Sequence, residues 1–250
     1  MNEELFEGLR GLGFRAKREA TAALLKHATQ SRHSPVQTLE QLVALERRER
    51  DTLNLQRRTA EATIGSVRPL DGFDWNWPRS INRTLYERLA HLDFIKTGEN
   101  VLFRGPSGVG KTTLSQHFGL LALQRGHKVR FATLASAVAD LMRQESLPAL
   151  ERRLKRYTQV DLLILDEIGY LPCDGKAADL LFNIISRRHE KRSTIISTNL
   201  AYKQWGTVFP GAACVGALVD RFIQHCHTMD IDADSWRNKE AEEKTKPKKR

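Results

Sequence analysis

Eight consecutive residues, Gly105-Pro106-Ser107-Gly108-Val109-Gly110-Lys111-Thr112, carry the spacing G-x-x-x-x-G-K-[ST] of a phosphate-binding loop. Glycines let such a loop turn with positive φ and bring its amides against phosphate oxygens, at the positive end of the helix that follows. Lys111 then reaches the β and γ phosphates of ATP, the Thr112 hydroxyl ligates Mg²⁺, and Thr113 completes the binding stretch. Fifty-five residues beyond Lys111, a run of apolar residues ends in Asp166-Glu167. Asp166 can hold Mg²⁺, directly or through water, and Glu167 can polarise the water that attacks the γ phosphate. A second acid beside the metal ligand favours hydrolysis over transfer to a bound acceptor, the chemistry of a small-molecule kinase. Asn199, after Ser197-Thr198, can touch both that water and the γ phosphate. Arg221 offers a planar guanidinium to the γ phosphate as its charge shifts, and in ring-forming ATPases such a group comes from the neighbouring subunit. Spacing alone also allows Arg221 to be an ordinary salt-bridge partner.

These groups need a strand before the loop and a helix after it. Asn100–Arg104 is apolar and β-prone enough for a buried strand, and Thr112–Arg125 repeats Leu114, Phe118, Leu121 near helical spacing. Strands then recur at Lys128–Thr133, Asp161–Leu165 and Ser193–Thr198, with Thr228–Ile231 as a short edge strand. Between them lie helices at Leu134–Gln144, Pro148–Arg156 and Lys176–His189, and Val215–His225 reads as the last helix. Alternation of this kind predicts an α/β fold with a mostly parallel five-stranded sheet between helices. A helix over Ile81–Phe94 leads into it.

Residues 1 to about 63 read as helical throughout. Leu24-Leu25 closes a first amphipathic segment, Ser34-Pro35 interrupts it, and Thr38-Leu39-Glu40-Gln41 has the form of a capping box for the next helix. Gly65, Pro69, Gly72 and Pro78 then break the pattern, in a stretch holding Trp75 and Trp77. Linker aromatics of this kind pin the segment to the next domain or stack on a base. The resulting division is a small N-terminal helical domain (1–66) for DNA binding or self-association, an aromatic linker (67–80), an ATPase domain (81–238) and a disordered basic tail (239–250).

A net charge of +10 favours a polyanionic partner, nucleic acid being the usual one. The charge is clustered, at Arg47-Arg48 with Arg50, Arg57-Arg58, Arg152-Arg153 with Lys155-Arg156, Arg187-Arg188 with Lys191-Arg192, and Lys244–Arg250. Each cluster is either a ligand surface or a solvated face. No apolar run approaches a membrane span, and Met1-Asn2-Glu3-Glu4 does not open a signal peptide, so a cytoplasmic location is expected. Cys173, Cys214 and Cys226 contain no C-x-x-C pair, which argues against a disulfide framework and a zinc ribbon.

The phosphate loop, the run Leu165-Asp166-Glu167-Ile168-Gly169-Tyr170-Leu171-Pro172, Ser197-Thr198-Asn199 and Leu218-Val219-Asp220-Arg221-Phe222 together resemble the IstB family. These are ATP-binding helpers of insertion-sequence transposases in the AAA+ class, related to DnaC helicase loaders. The resemblance covers about residues 1 to 240. It implies an oligomeric ATPase, ring or helical, that assembles on duplex DNA, recruits and regulates its transposase, and needs ATP and Mg²⁺. By the same match Arg221 becomes the arginine finger and Asn199 the sensor. A helicase loader with a helicase as client is the nearest rival. Twenty-nine residues follow Arg221, too few for the usual AAA+ helical lid, so no full C-terminal lid is expected and Arg237 is at best a weak substitute for its sensor arginine.

Overall fold

The computed structural model describes residues 2–169 and 175–245. Tyr170, Leu171, Pro172 and Cys173, and the tail from Lys246 onward, lie outside the described residues. The chain divides into two compact units, Met1–Arg58 and Thr59–Arg250.

The first unit holds α1 (Glu3–Gly11), α2 (Arg18–Gln30) and most of α3 (Pro35–Ala62). Its capping box lies one turn earlier than the sequence suggests. Ser34 Oγ accepts from the Gln37 amide at 3.2 Å and Gln37 Oε1 accepts from the Ser34 amide at 2.8 Å. Pro35 fills the first helical position, where its missing N–H costs nothing, while Thr38 is already inside the helix and donates back to Ser34 O. Glu46 on α3 accepts the amides of Arg15 and Ala16 (2.7 and 2.9 Å) and pairs with Arg50, which fixes the α1–α2 connection on α3.

The second unit is built on one six-stranded sheet, ordered β1-β6-β2-β5-β4-β3. The strands are β1 (Ser80–Ile81), β2 (Asn100–Arg104), β3 (Val129–Thr133), β4 (Leu162–Ile168), β5 (Ser193–Thr198) and β6 (Cys226–Asp232). All pairings are parallel except β1 with β6. The sheet thus has six strands where five were expected, because a two-residue strand shows no periodicity to read. It also moves β6 from the edge to a place between β1 and β2. β2, β4 and β5 are almost wholly buried, as strands covered by helices on both faces must be.

Helices α4 (Arg83–Leu89), α5 (Asp93–Thr97), α6 (Lys111–Gln124), α7 (Leu134–Met142), α8 (Leu147–Thr158), α9 (Gly175–Arg188), α10 (Trp205–Val208), α11 (Val215–Ile223) and α12 (Trp236–Thr245) complete the unit. The single helix expected over Ile81–Phe94 is two. Asn82 caps α4 through the Leu85 amide at 2.9 Å, and Leu92, at φ 63°, turns the chain before α5. Helix α12 is a further correction: α11 is not the last helix, and residues 239–245 are helical where a disordered tail was expected. Glu240 and the pair Glu242-Glu243 interleave with lysines at 239 and 244, which suits a helix better than a uniformly basic tail would. No helix among the described residues is long and apolar enough to cross a membrane.

Candidate nucleotide-binding site

The phosphate loop leaves the carboxyl end of β2 and turns into α6. Gly108 and Gly110 have φ of 80° and 95°, the left-handed region where a side chain is disfavoured. Space forbids one as well: a Cβ on Gly110 would lie 2.7 Å from Phe73 Cε2, and one on Gly108 would collide with Ser235 Oγ. Lys111 is 5% exposed, and its ammonium bonds the loop carbonyls of Gly105 and Pro106 at 2.7 and 2.6 Å. Burial pushes this ammonium down to about 8, against the pull of Asp166 and Glu167 and with a push from Arg237. A buried cation bonded to neutral carbonyls is a site that gains from an anion.

The two acids reach this loop through an irregularity in β4. Its register with β5 shifts between Leu165 and Ile168, and Glu167 takes φ 62°. A left-handed non-glycine residue costs on the order of 1–2 kcal/mol and is held there by its surroundings. The holder is Ser197, buried on β5, whose Oγ accepts from the Glu167 amide at 3.1 Å and donates to Asp166 Oδ1. On its other oxygen, Asp166 accepts from the Thr112 hydroxyl at 2.8 Å. Asp166 is 3% exposed and Glu167 is exposed. Thr112, Lys111, Asp166, Glu167 and Ser197 all line one cavity of about 510 Å³, the size of a nucleotide site.

The remaining walls come from the linker and from the chain after β6. Phe73, Trp77 and Pro78 of the linker line the cavity together with Trp236 and Arg237 and with Val109, Gly110 and Thr113 of the loop and α6. Trp75 has the pinning role instead, packed between Phe73 and Tyr86 (centroids 4.8 and 4.9 Å) beneath the Arg83 guanidinium. A cavity lined by both aromatic and phosphate-binding groups suits a base and its phosphates.

Two expected residues stand apart from this cavity. Asn199 is exposed, its amide oxygen near Gly169, and it does not line the cavity; β5 does lie between β2 and β4, but Ser197 is the residue that faces inward. The signal for Ser197 was a hydroxyl inside a wholly buried strand, whereas Asn199 lies beyond the strand's end. Arg221 lies on α11, its guanidinium over the Phe182 ring at 4.9 Å and bonded to Ser186 Oγ. It too is outside the cavity of its own chain. The loop residues Gly105, Pro106 and Ser107 form the turn that precedes the lining residues 108–113.

The basic clusters of the second unit prove unequal. Arg188 is 1% exposed and spends its guanidinium on the carbonyls of Tyr157, Val160, Asp161 and Ser193 and on Thr194 Oγ1. Arg153 pairs with Asp140, Arg187 with Glu151 and Arg192 with Asp161. Arg152, Lys155 and Arg156 are exposed on α8 and carry no ion pair among the described residues.

A glycine loop between β2 and α6, with acids two strands away, defines a phosphate-loop α/β protein. The fold of the DnaC helicase loader agrees, with a TM-score of 0.51 and 20% identity over 63% of this chain and 98% of that one. The chain belongs to the family described as IstB-like ATP binding protein, which matches residues 8–244. Among its relatives, a Pseudomonas aeruginosa protein named as an ATP-binding protein of insertion sequence IS21 is 38% identical over 186 residues, 74% of this chain and 70% of that protein. One from Geobacillus stearothermophilus, named likewise for insertion sequence IS5376, is 30% identical over 240 residues, 96% of each.

Proposed function

We propose that this protein is a Mg²⁺-dependent ATPase that oligomerises on duplex DNA and recruits and regulates a transposase, with hydrolysis controlling assembly and release. The observation that carries the ATPase reading is the convergence of Lys111, the Thr112–Asp166 bond and Glu167 on one cavity. Lys111 draws the β and γ phosphates into the loop, and the amides of residues 108–112 follow them. Thr112 and Asp166 would hold Mg²⁺, which when bound neutralises charge on the β and γ phosphates. A hydroxyl and a buried carboxylate 2.8 Å apart fit that ion. The described residues contain no group of three or more His, Cys, Asp or Glu able to hold a metal alone, and Mg²⁺ ordinarily borrows its other ligands from phosphate and water. Glu167, aimed into the cavity mouth by the bulge, orients and polarises the attacking water. Ser197 keeps the two acids in their separate roles.

Lys111 gives this reading a pH signature. ATP binding needs the ammonium, which the free protein holds at about 8, so affinity falls as pH rises through that value. Between about pH 7 and 9 the dissociation constant should rise roughly tenfold, read by titration of a fluorescent ATP analogue. A flat profile would contradict the assignment of Lys111. For folding the sign is opposite: between about pH 8 and 10.5 the unfolded chain binds the proton the fold gives up, so this group's contribution to stability grows with pH.

DNA as a partner is supported by the net charge and by Arg152, Lys155 and Arg156 on α8. The insertion-sequence names of the relatives favour a transposase as client, whereas a helicase loader would share the fold. Arg221, on α11 with its guanidinium against Phe182 and Ser186 of α9 and away from its own cavity, suits a finger offered to a neighbouring subunit, and Asn199, just beyond β5, is proposed as the sensor. The test is ATP turnover with and without duplex DNA, with particle size followed by light scattering in the same samples. DNA should raise both turnover and size. If it changes neither, the DNA-assembly reading falls while the ATP site stands.

A further inference from the structure

Beyond β6 the chain meets the linker at Trp77 and Arg79. The Trp77 indole N–H donates to Asp234 O at 3.1 Å, and the Trp77 and Trp236 rings meet edge to face at 5.4 Å. The Lys239 ammonium sits 4.1 Å from the Trp77 centroid and 4.3 Å from that of Trp236, one cation shared by two rings. Arg79 adds pairs to Asp232 and Asp234, but all three side chains are at least 60% exposed and screened by solvent. None of Trp77, Trp236 or Lys239 is fully buried. This contrasts with Asp166 and Ser197, which stand on the buried strands β4 and β5, and with Lys111, buried at the start of α6.

The same segment touches the phosphate loop directly. The Trp236 amide donates to Gly108 O at 3.1 Å, and Ser235 occupies the space a Gly108 side chain would need. The lack of a Cβ at Gly108 therefore serves the strap as well as the turn. Phe73 of the linker fills the equivalent space at Gly110. Linker and strap each rest on one loop glycine, and Trp77, Trp236 and Lys239 join them.

We propose that Trp77, Trp236 and Lys239 form a latch beside the cavity, and that nucleotide enters and leaves only when the first turn of α12 lifts from the linker. The proposal rests on the nucleotide reading above and adds the gate to it. The ligand under the latch is a purine base, lying against the Phe73, Trp77 and Trp236 walls with its phosphates on the loop. Lys239 does not line the cavity but sits on the two rings, so its hold acts in the empty and the filled protein alike. Its loss should speed entry and exit by the same factor and leave affinity nearly unchanged. A residue that merely contacts the base would alter exit alone.

The experiment is stopped-flow association and dissociation of a mant-labelled ADP on the full chain, for wild type, Lys239→Gln and Lys239→Arg. Gln removes the cation, and Arg keeps it over the rings. In Lys239→Gln both rate constants should rise by about fivefold, with the dissociation constant held within about twofold, and Lys239→Arg should return both toward wild type. Unchanged rates in Lys239→Gln, or a faster exit with unaltered entry, would overturn the latch while leaving the nucleotide site in place. A wild type that binds no labelled nucleotide would overturn that site and the latch together.

Discussion

Glu167→Gln slows steady-state ATP turnover by about two to four orders of magnitude while ATP affinity stays within about twofold. The amide keeps the size and hydrogen-bonding reach of the carboxylate but cannot take a proton from water. Its backbone is held by Ser197 and the β4 bulge, neither of which depends on the carboxylate charge. Binding is expected to survive because Lys111 and Thr112, not Glu167, meet the phosphates. On DNA the variant should remain assembled after ATP is added, since the step that releases it is blocked. Phosphate release and light scattering on the same preparation check both halves. Near-normal turnover would move the base elsewhere in the cavity.

Lys111→Ala weakens ATP binding by at least about a hundredfold, from the loss of charge-assisted bonds to two phosphates, each worth about 1.5–3 kcal/mol. The change also leaves the carbonyls of Gly105 and Pro106 without their donor, so the loop itself loosens. Folding is not expected to suffer in proportion, because the wild-type fold already bears the cost of a buried ammonium whose pKa burial depresses. Equilibrium binding alongside thermal unfolding separates the two effects. An unchanged affinity for ATP would remove the phosphate loop from the account.

What could be read from the sequence follows a physical division. The phosphate loop and the Asp166-Glu167 pair were legible because their chemistry fixes residue types at short spacing, and β2, β4 and β5 because burial on both faces demands continuous apolar runs. β1 was not legible, since two residues carry no period, and its absence from the reading left β6 at the edge. The capping box was displaced by one turn because Ser34 and Thr38 both precede a glutamine by three residues, and only Pro35 at the first helical position decides between them. Ser197 is not legible beside Asn199, because a serine inside a strand announces no chemistry by its residue type. The meeting of Trp77 with Trp236 spans most of the chain, and no local pattern announces such a contact. Basic pairs were equally opaque, for Arg188 and Arg152 look alike in sequence, yet one is sealed beneath five acceptors and the other faces water.

The central claim is that a triphosphate held by residues 105–112 is cut by water activated at Glu167. Single-turnover release of labelled γ phosphate tests it most directly, with wild type and Glu167→Gln each loaded to the same measured occupancy before Mg²⁺ is added. The account predicts equal loading, rapid release from wild type and release from the variant slower by at least about a hundredfold. Equal release from equally loaded proteins would contradict it.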